Sequence, residues 1–452
     1  MIIRVIRVLK FKEMEQPTSG HLQKTLTPIM LWGLGVGYVI SGMYFGWNIG
    51  LKEGGTLGMG VATFFIIIMY AAFSFSYSEL ACAIPKAGGV FAYATRALGK
   101  DAGFIGGMAQ NIEFIFAPPA IAFAIGAYFN IFFPQIPIVA IAIVAYIIFT
   151  GLNIYGVKAA ATFELVITIF AVGELLLFAG VTLPHFHAAN LKLNALPHGW
   201  AGAFAAIPFA VWFFLGIEGV ANVAEETINP QRDITRGFGS AIITLIILCV
   251  LTFIACVGVG GWEAIVFKNA AGETSDSPLP LAMGQVVGDN SLLFHMLITI
   301  GLFGLVASFH GLILASGRST FEFGRVGYAP ARLGKVNEKF KTPANALLLN
   351  MLLGIGALLT GKTAEIITVS VFGAITLYII AMISVMVLRK KEPNLERPFK
   401  VPLYPLSPII ALVIAAVALV AMTYYNFQLA IIYFAVIAVA FVFYKLFNST
   451  DK

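Results

Sequence analysis

Apolar runs of about 20 residues recur along the whole chain and are separated by short polar segments. As an α-helix, a run of this length crosses the roughly 30 Å of hydrocarbon in a bilayer. No polar segment is long enough to fold as a separate soluble domain. The pattern predicts an all-α integral membrane protein with twelve transmembrane helices, near 29–51, 57–83, 104–130, 136–156, 162–183, 203–223, 239–262, 291–317, 344–361, 364–388, 406–424 and 427–447.

Composition agrees with this pattern. Hydrophobic residues make up 59% of the 452 positions and charged residues only 11%. A soluble domain has about a quarter of its residues charged, so this chain has too little polar surface to be one. The composition therefore excludes an ordinary soluble protein.

Lysine and arginine predict the orientation. With the N-terminus inside, the outer loops hold only Lys52, Lys192, Lys268 and Lys362, which leaves 24 of the 28 basic residues on the cytoplasmic side. Such an asymmetry is the positive-inside signal. It predicts a multi-pass protein of the cell membrane, a bacterial cytoplasmic membrane, with both termini in the cytoplasm. It also accounts for the net charge of +6, so nothing favours nucleic acid as a partner.

The first 20 residues, MIIRVIRVLKFKEMEQPTSG, are basic and amphipathic. They lack the continuous apolar core and small-residue cleavage site of a secretory signal. Two interpretations stay open: the segment lies on the inner leaflet of the membrane, or translation begins at Met14.

The chain shows no pattern typical of a cofactor, a metal site or an enzyme. Its three cysteines, Cys82, Cys249 and Cys256, lie in or beside apolar runs without metal-ligand spacing, and the six histidines do not cluster. No P-loop is present, which excludes an ATP-driven pump within this chain. We expect no cofactor and no metal.

Two spans contain glycines where a plain helix would not. The first, GLGVGYVISGMYFGWNIG, fits either close helix packing through small residues or an unwound segment around Ser41 and Gly42. The sixth, IPFAVWFFLGIEGVANVAEE, has Gly216 and Gly219 on either side of Glu218. Helices broken at equivalent positions of two five-helix halves are typical of a transporter with its site at the membrane midplane.

Four stretches resemble the amino acid–polyamine–organocation (APC) transporter superfamily. They are GVGYVISGMYFGWNIGL, YSELACAIPKAGGVFAYATRALG, FFLGIEGVANVAEETINPQRDITRG and SFHGLILASGRSTFEFGRVGYAPARLGKVNEKFKTP. The GYVISG and IEFIFAPPA stretches are most similar to ethanolamine permeases. The resemblance implies a LeuT-type fold in which helices 1–5 and 6–10 are inverted repeats and two helices are added. It also implies alternating access driven by protons or by exchange.

That fold implies a division of the chain. The expected parts are a cytoplasmic tail (1–26), a first repeat (27–183), an extracellular loop (184–202), a second repeat (203–388), a cytoplasmic loop (389–405), two further helices (406–447) and a C-terminal tail (448–452).

Acids inside apolar spans are the candidate functional residues, because a charge at midbilayer costs at least about 2.5 kcal/mol. Glu113 falls where the resemblance implies that helix 3 lines the substrate pocket; the alternative is a neutral carboxyl bonded to a neighbouring helix. Glu218 is either a proton site or a cap for the unwound backbone. Glu164 and Glu174 are weaker candidates, and Glu164 is expected near an inner helix end, in solvent. His310 is either a buried neutral imidazole or a proton-coupling group.

The hypothesis that follows is a secondary transporter that takes up ethanolamine or a similar small amine. The alternative is an amino acid permease of the same superfamily; an ion channel is less well supported, because no selectivity loop is apparent. The expected partners are a small-molecule substrate, the lipid bilayer and protons. The predicted substrate-binding residues are Ser41, Gly42, Glu113, Trp212, Phe213 and Leu215, and the predicted proton-coupling or gating residues are Glu218 and His310.

Overall fold

The computed structural model describes residues 24–86, 88–155, 158–269 and 271–448, with the backbone alone at 158–161. Both interpretations of the N-terminal segment therefore concern residues outside the described chain. The two isolated bridges, Leu26 with Thr227 and Phe267 with Thr274, are the only β pairing in the described residues.

Twelve apolar helical segments lie at the positions that the sequence predicts. In the described chain, ten helices are long and apolar enough to cross a membrane, and the shorter Pro28–Tyr44 and Ala344–Leu358 complete the set. The segments are α1 (Pro28–Tyr44), α2 (Trp47–Ala83), α3 (Lys100–Phe132), α4 (Ile138–Tyr155), α5 (Lys158–Thr182), α6 (Gly199–Ala205, Ile207–Trp212 and Ile217–Glu226), α7 (Pro230–Gly260), α8 (Leu292–Arg325), α9 (Ala344–Leu358), α10 (Thr363–Lys391), α11 (Leu406–Tyr425) and α12 (Phe427–Asn448).

Shorter helices occupy three of the connections. Val90–Leu98 lies between α2 and α3, and Leu183–His185 and Ala188–Lys192 follow α5. Glu263–Val266 and Pro278–Val287 lie between α7 and α8. Pro230 begins α7 at a position where its missing N–H costs no helical hydrogen bond.

The helices differ in how far they are buried by other helices. The apolar stretch of α6 is 100% buried and that of α3 is 78% buried, whereas only 17% of the α12 stretch is buried. In hydrocarbon, apolar side chains need no protein cover, so α12 is suited to a lipid-facing position. The centre of the molecule is thus built around α6 and α3, which both carry acidic residues.

Candidate functional site

The α1 break lies one turn beyond the position that the sequence predicts. Ser41–Tyr44 forms a single helical turn; Phe45 is extended (φ −161°, ψ 172°) and Gly46 has φ 86°. Glycine is the residue that adopts such a positive φ without strain. The prediction of an unwound backbone at Ser41 and Gly42 themselves is therefore wrong, although the prediction that the first span is broken is confirmed.

A side chain of α8 is inserted into the backbone of α1 just before the break. The Ser308 hydroxyl donates to the Gly37 carbonyl at 2.6 Å, and the Ser41 N–H donates to the same hydroxyl at 2.8 Å. In a regular helix the Ser41 N–H would bond the Gly37 carbonyl directly. An inserted side chain is one of the recognised causes of a helix kink.

The α6 break has a different construction. The helical part ends at Trp212, Gly216 has φ 96°, and the chain continues as the 3₁₀ helix Ile217–Glu226. This confirms the break predicted from Gly216 and Gly219.

The two breaks meet backbone to backbone at Gly42. A Cβ at Gly42 would lie 2.5 Å from the Trp212 carbonyl oxygen and 3.0 Å from the Phe213 Cα, so only glycine permits the approach. The Trp212 indole N–H donates to the Phe45 carbonyl at 3.1 Å, and the Phe213 ring stacks on Trp47 with centroids 5.3 Å apart. The structure thus brings Ser41, Gly42, Trp212 and Phe213 together, with Leu215 buried in the turn that follows.

Two carboxyl groups face each other beside the α6 break. Glu113 is 0% exposed and Glu218 is 1% exposed. The Glu113 carboxyl lies within hydrogen-bonding reach of the Glu218 carboxyl and of the Gly216 N–H. The Tyr378 hydroxyl donates to Glu218 Oε2 at 2.9 Å and lies 3.0 Å from the Tyr70 hydroxyl. We call Glu113 and Glu218 the acid pair.

Glu164 lies deep in the molecule, which corrects the expectation that it is solvated near a helix end. It is 1% exposed, and its Oε2 lies 3.1 Å from Nδ1 of His310. Its other oxygen has no hydrogen-bond partner in the described chain and packs against Gly37 of α1. The sequence did not show this contact because 146 residues separate the two side chains. We call Glu164 and His310 the acid–base pair.

The Tyr38 ring lies between the two pairs. A Cβ at Gly219 would lie 2.8 Å from Tyr38 Cδ2, and a Cβ at Gly311 would collide with the ring from the other side. Gly219 follows Glu218 and Gly311 follows His310, so one aromatic ring of α1 touches both neighbourhoods.

The remaining candidate, Glu174, belongs to neither pair. It is 4% exposed, lies within hydrogen-bonding reach of the Tyr44 hydroxyl, and borders a small cavity with Tyr128. In the described chain no group of His, Cys, Asp or Glu residues is placed to hold a metal ion.

A vestibule of about 290 Å³ opens beyond the α6 break. Its lining residues include Lys52, Phe209 and Glu365. At the opposite end, the Thr25 and Leu26 N–H groups donate to the Glu226 carbonyl at 2.9 and 3.0 Å, and Arg318 pairs with the Glu226 side chain at 2.6 Å. These contacts close the end away from the vestibule.

Sequence reasoning missed several hydroxyl groups that hold the site together. Tyr70 and Tyr378 lie in apolar runs and support Glu218, and Ser308 joins α8 to α1. The available signal was a tyrosine or serine within a span, but such residues are common there, and their partners lie on distant helices.

Comparison with known proteins identifies the family. The family model described as amino acid permease matches residues 26–443. The chain is 28% identical to the branched-chain amino acid permease BcaP of Bacillus subtilis, over 90% of this chain and 90% of that protein. It is 27% identical to the methylthioribose transporter of the same organism, over 88% of each chain. It is 24% identical to the aromatic amino acid transport protein AroP of Escherichia coli, over 87% of this chain and 88% of that protein.

These matches confirm the resemblance to the APC superfamily and an all-helical, multi-pass membrane transporter. They do not test the similarity to ethanolamine permeases, which stays a prediction. With 418 consecutive positions covered by the family model, the chain belongs to the amino acid permease family.

Proposed function

We propose that this chain is a secondary transporter that carries an amino acid between the breaks of α1 and α6. The observation that carries the proposal is the acid pair, which is buried at the α6 break. Arg318 is the only buried lysine or arginine of the described chain, and it is already paired with Glu226. The site therefore offers negative charge to a substrate ammonium group and no basic side chain to a substrate carboxylate.

Backbone groups are suited to the carboxylate. The helical segments that start at Trp47 and Ile217 both begin at a break. Free N–H groups and the helix dipole favour an anion at such ends. A zwitterion would then place its ammonium group at the acid pair and its carboxylate at a broken helix end. The relatives named for branched-chain and aromatic amino acids support this substrate class.

Ethanolamine is the second candidate substrate. Its ammonium group fits the acid pair equally well, and a hydroxyl needs no cation, which suits a site without a free basic side chain. A small substrate makes few contacts, so an unpaired ammonium group in a low-dielectric site would cost more than those contacts return. Trp212 and Phe213 offer aromatic faces to such a cation.

Uptake into proteoliposomes tests the substrate. We expect purified protein to accumulate radiolabelled L-leucine or L-phenylalanine, with ethanolamine as competitor. Glu113→Gln keeps the shape and removes the charge, so it should weaken substrate binding by at least tenfold, about 1.4 kcal/mol. The matched control is Glu263→Gln in the loop after α7, where the carboxylate accepts only from Asn194. Unchanged affinity in Glu113→Gln would place the ammonium site elsewhere, with Glu218 as the next candidate.

We propose that protons drive this transport and that Glu218 takes part. Two carboxyl groups at hydrogen-bonding distance in a buried site cannot both stay ionised, so the pair shares a proton. An arriving ammonium group favours release of that proton. Glu218→Gln should therefore flatten the pH dependence of uptake, whereas exchange without proton movement would leave it unchanged. A pH-sensitive dye inside the vesicles measures the accompanying proton flux, with sodium replaced by choline as the second arm.

The acid–base pair is our second proposed coupling site. His310 faces the Glu164 carboxyl, the rings of Phe149 and Phe163, and no other charged side chain of the described residues within salt-bridge distance. Protonation of this pair changes the charge that lies against Gly37 of α1. His310→Gln should shift the pH at which uptake is half-maximal; an unchanged pH profile together with retained uptake would exclude it.

We further propose that both termini are cytoplasmic and that the vestibule faces outside. Single cysteines test this orientation, because the native cysteines Cys82, Cys249 and Cys256 are all buried. An impermeant thiol reagent applied to intact cells should label Thr274→Cys and spare Lys335→Cys and Asn394→Cys. The reverse pattern would overturn the orientation.

A further inference from the structure

Three polar side chains from three helices converge on Gly89, in the connection after α2. A Cβ at Gly89 would lie 3.1 Å from Gln110 Oε1 and 3.2 Å from the Tyr77 hydroxyl, and still closer to Asn222 Oδ1. All three side chains are buried: Tyr77 is 0% exposed, and Gln110 and Asn222 are 2% exposed. We call them the inner polar cluster.

The cluster lies one helical turn from the acid pair, on the side away from the vestibule. Gln110 precedes Glu113 by one turn of α3, and Asn222 follows Glu218 by one turn of the 3₁₀ segment. Along α6, the order is the vestibule residue Phe209, then Glu218, then Asn222. A solute that moves past the acid pair toward the closed end therefore reaches the cluster next.

The polar atoms of the cluster lack protein partners within the described chain. Neither Oδ1 nor Nδ2 of Asn222 has a hydrogen bond, and Gln110 Oε1 and the Tyr77 hydroxyl have none of good geometry. The Val90 N–H also faces that hydroxyl. The Gln110 amide nitrogen donates to the Ser319 hydroxyl at 3.0 Å, which fixes its oxygen toward Gly89. Buried polar atoms normally have partners, so such a cluster points to a ligand.

The arrangement of oxygens indicates what that ligand is. Three oxygen acceptors surround one point, and an ammonium group carries three N–H donors on one atom. Hydrogen bonds from a charged donor are about twice as strong as neutral ones. An ammonium group is therefore the polar group of the proposed substrates that matches these acceptors.

Resting on the function proposed above, we propose that Asn222, Gln110 and Tyr77 form an inner site that holds the substrate's ammonium group after it leaves the acid pair. The cluster contains amides and a phenol but no carboxylate. Its attraction for a cation is therefore weaker than that of the acid pair, so the substrate passes from a tighter site to a looser one. This order favours release on the side away from the vestibule.

Substitutions at Asn222 test the inner site in proteoliposomes of defined orientation. The probe is whichever of radiolabelled L-leucine, L-phenylalanine or ethanolamine the parent protein accumulates. Asn222→Leu removes the polar atoms at similar size and should raise the KM for transport from the inner face at least fivefold. Asn222→Asp supplies a carboxylate and should lower that KM at least threefold. Both variants should leave the KM from the vestibule face within twofold of the parent.

Opposite changes in the two variants, confined to the inner face, support the inner site. Equal changes on both faces would show that Asn222 acts only through the acid pair, and unchanged inner-face values would show that the cluster holds no substrate; either result overturns the proposal. If the parent accumulates none of the three probes, the proposed function fails first.

A milder variant guards against misfolding. Tyr77→Phe removes one hydroxyl and should raise the inner-face KM about twofold. Its control is Tyr146→Phe, where the hydroxyl packs against Gly354 of α9, away from the breaks. Equal behaviour of the two tyrosine variants would overturn the proposal even if Asn222→Leu does not fold.

Discussion

The acid pair and the acid–base pair are equally buried but differ in how their charges are balanced. Glu113 meets a second carboxyl, whereas Glu164 meets an imidazole at 3.1 Å. The acid–base pair can be neutral overall without any other molecule. The acid pair reaches the same state only by holding two protons, or one proton and a cation. The difference indicates that the first pair is completed by a bound solute and that the second is completed by the protein.

The largest expected effect breaks the acid–base pair. His310→Gln leaves the Glu164 carboxyl buried without its partner, which should lower the free energy of unfolding by about 3 kcal/mol. Denaturant titration in mixed micelles measures this change. The double variant Glu164→Gln/His310→Gln pairs two amides and should recover most of the loss. A single variant as stable as the parent would show that the pair carries no charge.

Removing a donor from the acid pair should have a smaller effect. Tyr378→Phe deletes the hydroxyl that donates to Glu218, and a hydrogen bond to a charged acceptor contributes about 2 kcal/mol. We expect a loss of about that size by the same titration, and almost none in Tyr146→Phe, which makes the same change elsewhere. If the two variants lose equal stability, Glu218 is not the ionised member of the acid pair.

Ser308 links the acid–base pair to α1, and its loss should cost about 1 kcal/mol. Ser308→Ala leaves the Gly37 carbonyl and the Ser41 N–H without the hydroxyl that joins them. The control is Ser384→Ala in α10, where the hydroxyl bonds only its own helix at Ile380. Hydrogen exchange at Ser41 should be faster in the first variant and unchanged in the second.

The smallest effect concerns an acid outside the membrane spans. Burial raises the pKa of Asp276, in the loop between α7 and α8, from 3.8 to about 6, although Thr363 and Lys268 oppose the rise. The folded protein therefore binds this proton more tightly than the unfolded chain, so stability falls as pH rises from about 4 to 6. Asp276→Asn should flatten the slope of Tm against pH in that interval. A slope identical to the parent's would contradict the assignment.

The sequence predicted the spans well because hydrocarbon imposes a length and a composition on each helix by itself. It also located the α6 break, since glycines at 216 and 219 are a local signal. The α1 break was displaced by one turn because several glycines compete there, and the one with positive φ, Gly46, is selected by contacts with α6 and α10.

The partners of the buried acids were beyond reach from sequence. Whether Glu164 is solvated depends on the depth of its neighbours, and its partner His310 lies in another repeat. Tyr378 and Glu218 are separated by 160 positions. Apolar periodicity defines which helices exist, but it does not define which polar faces meet.

The Ser308 hydroxyl makes α1 a jointed rod whose pin belongs to α8. If the lower half of α1 swings while α8 stays still, both hydrogen bonds of the pin must stretch or break, and the barrier has a large enthalpic part. If α1 and α8 swing together, the pin survives and the resistance comes from the surfaces that slide past them. The temperature dependence of turnover, compared between the parent and Ser308→Ala, distinguishes these two mechanical regimes.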